Sequence, residues 1–163
     1  MKRILVIGAG RSSSTMIKYF LTQSQKENWL IRVGDMQLSF AQEKVGNHVN
    51  GQAFKFDALN GDERRKEISN SDIVISMLPA RFHLEVVKDC IELKKNVITP
   101  SYITDEMKAL NEQIKDAGII AMNEMGLDPG IDHMSAMKIL DEIEEKGGVV
   151  SGFESFTGGL IAP

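Results

Sequence analysis

A glycine-rich turn near the N-terminus is the first feature that could carry chemistry. Gly8, Ala9 and Gly10 follow a short apolar run, and Arg11 and Ser12 begin a serine-rich stretch. A first glycine permits a tight turn, a second lets a phosphate approach the backbone, and free N–H groups at a helix start bind anions. The spacing therefore predicts that these five residues cradle the pyrophosphate of a dinucleotide. The alternative is a glycine turn that joins strand to helix and binds no ligand.

Two further segments fit the same cofactor, although the third position of the glycine motif is Ser13, which leaves that fingerprint incomplete. Asp35 ends the second apolar run, where an acid accepts hydrogen bonds from ribose hydroxyls and repels a 2′-phosphate. We therefore expect NAD rather than NADP, the alternative being a capping or turn aspartate. Met77, Leu78 and Pro79 end the fourth run, and we expect them beside the nicotinamide ribose. A strand end followed by a helix-starting proline is the simpler interpretation of these three.

Polar side chains after the fifth and sixth apolar runs could hold a substrate. Ser101 and Tyr102 carry hydroxyls that can bind a carboxylate, and Asp128 could bind an amine or move a proton. Both segments would leave the sheet at its carboxyl edge, where ligands bind in this architecture. A plain loop role remains an equally open interpretation for all three.

A parallel sheet is needed to bring these residues together. Short β-rich runs alternate with stretches of helical spacing, a pattern typical of βαβ crossovers. The predicted strands are Lys2–Ile7, Trp29–Val33, Gln52–Phe56, Asp72–Met77, Asn96–Thr99 and Gly118–Met122. A charged helix with few apolar residues is predicted over Asp62 to Ile68, and another helix from Met107 to Ala117. The fold class is therefore α/β, a Rossmann-like doubly wound parallel sheet.

The pattern changes after residue 125. A loop containing Asp-Pro precedes an amphipathic helix over Asp132 to Glu145, and an alternating β-like run follows from Val149 to Phe156. We interpret residues 1–125 as a nucleotide-binding domain. Residues 126–163 are interpreted as the loop, helix and strand that lead into a second, truncated domain.

The histidines and the cysteine have simple explanations. His48, His83 and His133 are scattered without ligand spacing, so no metal site is predicted. His83 and His133 lie near helix starts and fit surface capping. Cys90 lies on the apolar face of its helix and fits a buried structural thiol better than a nucleophile.

Composition limits the class of protein. The 163 residues include 19 Lys and Arg against 23 Asp and Glu, a net charge of −4. This balance argues against nucleic acid or an anionic membrane as the main partner. No apolar run approaches the ~20 residues of a membrane-spanning helix, and one cysteine fits a reducing cytoplasm. We expect a cytoplasmic protein that acts on a small molecule.

The chain resembles the glutamate-forming saccharopine dehydrogenases. The segments that carry the resemblance are Gly8-Ala9-Gly10, Ser76 to Pro79, His83, Ser101 to Ile103, Asn123 to His133 and Gly158-Gly159-Leu160. The resemblance implies reversible oxidation of saccharopine with water to glutamate and 2-aminoadipate semialdehyde, on a lysine pathway. A hydride would pass to the nicotinamide, and the resulting imine would be opened by water.

The resemblance also implies roles by position. It implies dinucleotide contacts at Gly8, Ala9, Gly10 and Asp35, and further positions near the cofactor at Leu78, Leu127 and Asp128. It implies saccharopine contacts at Ser101, Tyr102 and Asp128, of which Asp128 and Tyr102 are candidates for the catalytic acid or base. Fungal relatives that use NADP lack an acid matching Asp35, which supports the expectation of NAD.

Two other functions stay open at this point. One is a related carboxyalkyl-amine dehydrogenase, such as a carboxynorspermidine synthase, and the other is a non-catalytic dinucleotide-sensing module. The resemblance further implies that this chain is a piece of a longer protein, compatible with a homodimer. On that interpretation it is inactive alone, because the missing domain supplies basic groups for the substrate carboxylates.

Overall fold

A six-stranded parallel sheet forms the centre of the protein. The structure, a computed structural model, describes residues 1–156 and 158. Its strands are β1 (Lys2–Ile7), β2 (Trp29–Asp35), β3 (Gly51–Lys55), β4 (Ile73–Ser76), β5 (Asn96–Ile98) and β6 (Ala121–Met122), in the spatial order β3-β2-β1-β4-β5-β6. Every neighbouring pair runs parallel, which confirms the predicted Rossmann-like doubly wound sheet.

Helices cover both faces of this sheet. They are α1 (Ser14–Ser24), α2 (Leu38–Val45), α3 (Gly61–Ser69), α4 (His83–Glu92), α5 (Asp105–Lys108), α6 (Asn111–Ala117) and α7 (Ile131–Glu145). The apolar side chains of β1 contribute to the helix layers on both sides of the sheet, because successive side chains of a strand point to opposite faces. Leu5 and Ile7 pack with side chains of α3 and α4, whereas Ile4 and Val6 pack with side chains of α1 and α2.

Local capping accounts for helices that the apolar pattern describes poorly. The charged helix α3 begins after Asn60, whose side chain accepts hydrogen bonds from the backbone N–H groups of Asp62 and Glu63. Its second support is tertiary, since the buried Arg64 of α3 pairs with the buried Asp89 of α4. Few apolar residues therefore suffice, and the predicted helix is confirmed.

The helix predicted from Met107 to Ala117 is split in two. Thr104 caps α5 through a hydrogen bond from the Met107 N–H, and a tighter bond from Leu110 N–H to the Met107 carbonyl oxygen follows. This turn lets both Met107 and Leu110 reach the core. Gly118 ends α6 in the left-handed conformation, so β6 starts later than predicted.

The predicted strand over Val149 to Phe156 is wrong for these described residues. They form no regular structure, and Val149 and Phe156 are about nine-tenths exposed. A strand needs a neighbour to bond its backbone, and none of the described residues pairs with this segment. The glycine pair that follows this segment is Gly158-Gly159. Gly159 and the next residue, Leu160, lie outside the described residues.

Candidate functional site

The glycine turn is built for the close approach of another group. Gly8 has φ +102°, and a Cβ at this position would lie 2.9 Å from the Met77 carbonyl oxygen. Gly10 has φ −67°, and a Cβ there would meet no atom within 4 Å. Gly8 therefore serves the turn itself, whereas Gly10 leaves open space at the start of the following helix. That division of roles fits a pyrophosphate cradle.

The residues after Gly10 continue this cradle. Arg11 and Ser12 are exposed in a short 3-10 turn that runs into α1. Ser13, the residue that breaks the usual motif, is fully buried and donates its hydroxyl to the Gly10 carbonyl oxygen at 2.8 Å. The serine thus stabilises the turn with a hydrogen bond, which explains how the loop forms without a third glycine.

Asp35 holds the glycine turn from the neighbouring strand. Its Oδ2 accepts a hydrogen bond from the Ala9 N–H at 2.7 Å, and its Oδ1 accepts one from the Gln37 N–H at 2.8 Å. Gly34, beside it, has no room for a side chain because the Phe54 ring and the Cβ of Phe56 pack there. Both carboxylate oxygens are therefore engaged by backbone donors.

A cavity of about 330 Å³ opens beside the glycine turn. Gly8, Asp35, Leu78 and Pro79 line it, so four of the predicted cofactor residues share one space. Met77, predicted with them, packs instead against the apolar cluster on the α1 side of the sheet. The cavity suits the adenosine end of a dinucleotide, which lies at the carboxyl ends of the strands.

Arg81 also lines this cavity and was missed by the sequence analysis. It lies in the short 3-10 turn that leads into α4, with its guanidinium 4.6 Å from the centre of the Phe82 ring. The only signal in the sequence was its place two residues after Pro79. A cation here can neutralise a phosphate group.

Tyr102 and Asp128 meet on a second part of the site. The Tyr102 hydroxyl donates a hydrogen bond to Asp128 Oδ1, although the two residues are 26 positions apart in the chain. This bond to a carboxylate raises the pKa of Tyr102 above its ordinary value of 10.0. The two predicted catalytic candidates therefore form one hydrogen-bonded unit.

Backbone contacts between two loops produce this meeting. The N–H groups of Glu124 and Met125 donate to the carbonyl oxygens of Ser101 and Thr99 at 3.0 and 3.1 Å. Gly126 lies so close to the loop after β5 that a Cβ would come within 2.7 Å of the Pro100 carbonyl oxygen. The loops that follow β5 and β6 are therefore packed together.

His133 and Asp132 extend this unit from the start of α7. Together with Tyr102 and Asp128 they line a cavity of about 360 Å³. His133 Nδ1 lies 2.8 Å from Asp132 Oδ1, and this hydrogen bond raises the pKa of His133 above 6.5 while it lowers the pKa of Asp132. His133 is exposed, as expected, but it borders the candidate substrate site.

His83 differs from the sequence prediction of a surface cap. It is 2% exposed, and burial lowers its pKa below the ordinary value of 6.5. Its Nδ1 lies 2.9 Å from Ser76 Oγ and its Nε2 lies 2.9 Å from Ser101 Oγ. The prediction failed because Ser76 lies on β4 and Ser101 lies 18 residues further along the chain, so the sequence around His83 shows neither contact. A buried histidine here connects the end of β4 to Ser101.

The remaining predicted positions have plainer surroundings. Leu127 is 74% exposed and lies outside the cavity beside the glycine turn, as does Asp128. Cys90 is fully buried, and burial raises the pKa of its thiol to about 12, which confirms a structural thiol.

The described residues contain neither a metal-binding cluster nor a membrane-spanning helix. Across residues 1–156 and 158, no three His, Cys, Asp or Glu side chains come together as a metal site would need. None of the helices in this part of the chain has the length and apolar character to cross a membrane.

Comparison with protein families gives two adjoining matches. Residues 4–122 match the family described as the saccharopine dehydrogenase NADP binding domain. Residues 126–163 match the saccharopine dehydrogenase C-terminal domain.

Individual relatives agree with these matches. The chain is 48% identical to the NADP(+), L-glutamate-forming saccharopine dehydrogenase of Pyricularia oryzae, with 99% of this chain and 35% of that protein covered. It is 39% identical to the alpha-aminoadipic semialdehyde synthase of Arabidopsis thaliana, over 98% of this chain and 17% of that protein. The chain thus spans about a third or less of these relatives.

A solved structure has the same fold. The apo saccharopine dehydrogenase (L-Glu forming) from Saccharomyces cerevisiae superposes with a TM-score of 0.79 at 34% identity. The match covers 90% of this chain and 32% of that one.

The expectation that Asp35 selects NAD is wrong. The matching family is described as NADP binding, and the relatives from Pyricularia oryzae and Saccharomyces cerevisiae are named as NADP(+) enzymes. The structure supplies the physical reason, since both oxygens of Asp35 accept backbone hydrogen bonds from Ala9 and Gln37. An acid used to hold the glycine turn does not by itself identify the ribose.

Proposed function

Because this chain belongs to the saccharopine dehydrogenase family, we propose that it is the NADP-binding part of an oxidoreductase that acts on saccharopine. The reaction joins saccharopine, water and NADP+ on one side with glutamate, 2-aminoadipate semialdehyde, NADPH and a proton on the other. The names of the relatives from Pyricularia oryzae and Arabidopsis thaliana support both the substrate and the aldehyde product.

The open space at Gly10 is the observation that carries the cofactor part of this proposal. A strand leads into the turn, no atom lies within 4 Å of a Cβ on Gly10, and α1 begins directly after it. Backbone N–H groups at this point can bind a pyrophosphate. Arg81, in the adjoining cavity, would offset the charge of a 2′-phosphate. The glycine turn therefore fits the pyrophosphate of a dinucleotide, and Arg81 is the lining residue that favours NADP, against the negative charges of Asp35 and Asp57 on the same cavity.

The hydrogen-bonded pair of Tyr102 and Asp128 supports the proton-transfer part of the proposed reaction. The nicotinamide supplies a hydride acceptor when the cofactor is bound. The secondary amine of saccharopine loses a proton as departure of a hydride from the neighbouring carbon converts the C–N bond into an imine. Water then adds to the imine carbon and gives up a proton, and the nitrogen gains a proton and leaves as the amine of glutamate, so that the carbon becomes the aldehyde. The carboxylate of Asp128 can accept a proton at these steps, and the Tyr102 hydroxyl donates a hydrogen bond to that carboxylate.

The chain contributes only part of such an enzyme. It covers 35% of the Pyricularia oryzae relative, so about two thirds of that protein has no counterpart in it. We propose that residues 1–125 bind the dinucleotide and that residues 126–163 lead into the substrate domain. The chain by itself then binds NADPH without converting saccharopine.

The direct test follows NADPH absorbance when saccharopine is added to the protein at its natural length with NADP+. Asp128→Asn and Tyr102→Phe should each lower kcat at least tenfold, because they remove the proton acceptor and its hydrogen-bond partner. Asp141→Asn and Tyr19→Phe are matched controls on exposed helix positions, and should keep the parent rate. Absence of NADPH formation by the parent protein contradicts the proposal.

A further inference from the structure

We propose that His83 is a positioning residue that holds the Ser101 hydroxyl as a hydrogen-bond donor toward a carboxylate of the substrate. The inference rests on the proposed function, because it assigns the group that Ser101 recognises. His83 takes no part in the proton transfers assigned to Asp128 and its partner Tyr102.

The geometry places His83 between two hydroxyl groups of different elements. His83 opens α4 and is 2% exposed. Its Nδ1 is 2.9 Å from the Oγ of Ser76, the last residue of β4, and its Nε2 is 2.9 Å from the Oγ of Ser101, in the loop after β5. The imidazole thus joins the cofactor edge of the sheet to the substrate loop.

The surroundings of the two serines decide which way the protons point. Ser76 is fully buried, and within the described part of the chain its hydroxyl has no hydrogen-bond partner other than His83. If Nδ1 carried the imidazole proton, the Ser76 proton would be buried without an acceptor, which is unfavourable. Ser76 therefore donates to Nδ1. A neutral imidazole then carries its proton on Nε2, and it donates to Ser101 Oγ.

This direction leaves the proton of Ser101 free. Ser101 is half-buried, and its oxygen already accepts the Nε2–H bond, so its own O–H points away from His83. An outward O–H can be donated to an oxygen acceptor such as a carboxylate. Arg81 and Tyr102 line the small cavity of about 130 Å³ next to His83, which adds a positive charge nearby.

The neutral state of the ring limits the hydrogen-bond chain to two directions. Burial lowers the pKa of His83, so the imidazole keeps only one proton at neutral pH. The Ser76–His83–Ser101 chain then has two alternative directions, and the burial of Ser76 selects one. The donor at the position of Nε2 is then the feature of His83 that orients the Ser101 hydroxyl.

Two amide variants separate the contacts of the ring. The amide of glutamine can reach the position of Nε2 and keep the bond to Ser101, whereas the shorter amide of asparagine can replace only Nδ1. In the protein at its natural length, His83→Gln should keep the KM for saccharopine within about threefold of the parent value. His83→Asn should raise that KM about tenfold or more, while kcat and the NADPH Kd change little.

The difference between the two variants decides whether the Nε2 contact matters. Equal KM values in the two variants, or an unchanged KM in His83→Asn, would overturn the inference, provided that thermal unfolding shows both to be folded. Ser76→Ala is the matched control at the other end of the chain of hydrogen bonds. Because it frees Nδ1 but leaves Ser101 in place, it should raise KM less than Ser101→Ala.

A measurement without turnover tests the proton direction separately. The ¹⁵N shifts of the imidazole in labelled protein should show Nε2 protonated and Nδ1 bare at neutral pH, and Ser101→Ala should move the Nε2 signal more than the Nδ1 signal. The opposite tautomer would refute the inference. If the parent enzyme proves inactive on saccharopine, the proposed function fails while this measurement still decides the direction of the hydrogen bonds from Ser76 through His83 to Ser101.

Discussion

The Ala9 N–H donates a 2.7 Å hydrogen bond to the carboxylate of Asp35, which lies 26 residues later. The bond ties the end of β2 to the glycine turn that follows β1. Ala9 is 2% exposed, so its N–H depends on this acceptor rather than on water. The acid at the end of β2 is therefore part of the scaffold of the cofactor site.

Removing this acceptor should loosen the turn. We expect Asp35→Ala to lower the free energy of unfolding by about 2 kcal/mol, because a nearly buried N–H loses its charged partner. NADPH and NADH should both bind more weakly, with the ratio of their Kd values nearly unchanged. Chemical denaturation and calorimetry check these outcomes. Asp57→Ala is the control, since Asp57 lines the same cavity but, among the described residues, its carboxylate accepts a hydrogen bond only from the nearby Leu59 N–H. A large change in the ratio of the NADPH and NADH Kd values for Asp35→Ala would show that this carboxylate contacts the adenosine ribose and selects the cofactor.

The two glycines of the turn should respond in opposite ways to the same substitution. Gly8→Ala places a side chain at φ +102° and 2.9 Å from the Met77 carbonyl oxygen, so we expect a loss of at least about 2 kcal/mol of stability. Gly10→Ala meets no atom and has an ordinary φ, so stability should stay within about 0.5 kcal/mol. Its NADPH affinity should nevertheless fall about tenfold or more, because the methyl group occupies the phosphate side. Tight NADPH binding by Gly10→Ala would argue against the cradle.

The buried ion pair between α3 and α4 should be sensitive to the loss of one partner. Asp89→Ala leaves the guanidinium of Arg64 buried without its carboxylate, and we expect a loss of about 3 kcal/mol in urea denaturation. Glu85→Ala on the same helix removes only an exposed pair with Lys88 and should cost less than about 0.5 kcal/mol. Replacing Arg64 and Asp89 together by leucine should recover part of the loss. Equal effects of Asp89→Ala and Glu85→Ala would contradict this account of α3.

The stability of the protein should fall on the acid side of neutrality because of His83. Burial lowers the folded-state pKa of His83 below 6.5, so the unfolded chain binds a proton first as the pH falls. The stability that neutral His83 contributes is complete above pH 6.5 and is lost as the pH falls toward its folded-state pKa, by at most about 1.4 kcal/mol per pH unit. Denaturation between pH 7.5 and 5 should therefore show a shallower acid loss for His83→Gln than for the parent.

His133 offers a control of opposite sign. Its hydrogen bond to Asp132 raises its pKa above 6.5, so its stabilising contribution is present below pH 6.5 and fades as the pH rises through the folded-state pKa. The difference between the parent and His133→Gln should therefore shrink toward high pH. The same pH trend in both histidine variants would contradict the assignment of a buried neutral His83.

Local patterns predicted much of the fold. Within the run Lys2–Ile7, the residues from Ile4 onward are apolar on both faces, which identifies a buried parallel strand, and β1 has the predicted bounds. The helix predicted over Asp132 to Glu145 begins one residue earlier in the structure, at Ile131. The strand over Val149 to Phe156 was wrong, because alternation describes a strand only where a neighbour is available to bond it.

The sequence by itself determined the order of the strands along the chain, the glycine turn and the polar residues that follow β5 and β6. These depend on short-range spacing, which the chain carries directly. The tertiary structure alone decided that Asp35 holds Ala9, that Tyr102 bonds Asp128, and that His83 lies buried between Ser76 and Ser101. Each of these contacts joins separate elements, and most of them span 18 or more positions. Only the register of the parallel sheet and the packing of its loops bring such atoms within hydrogen-bond distance.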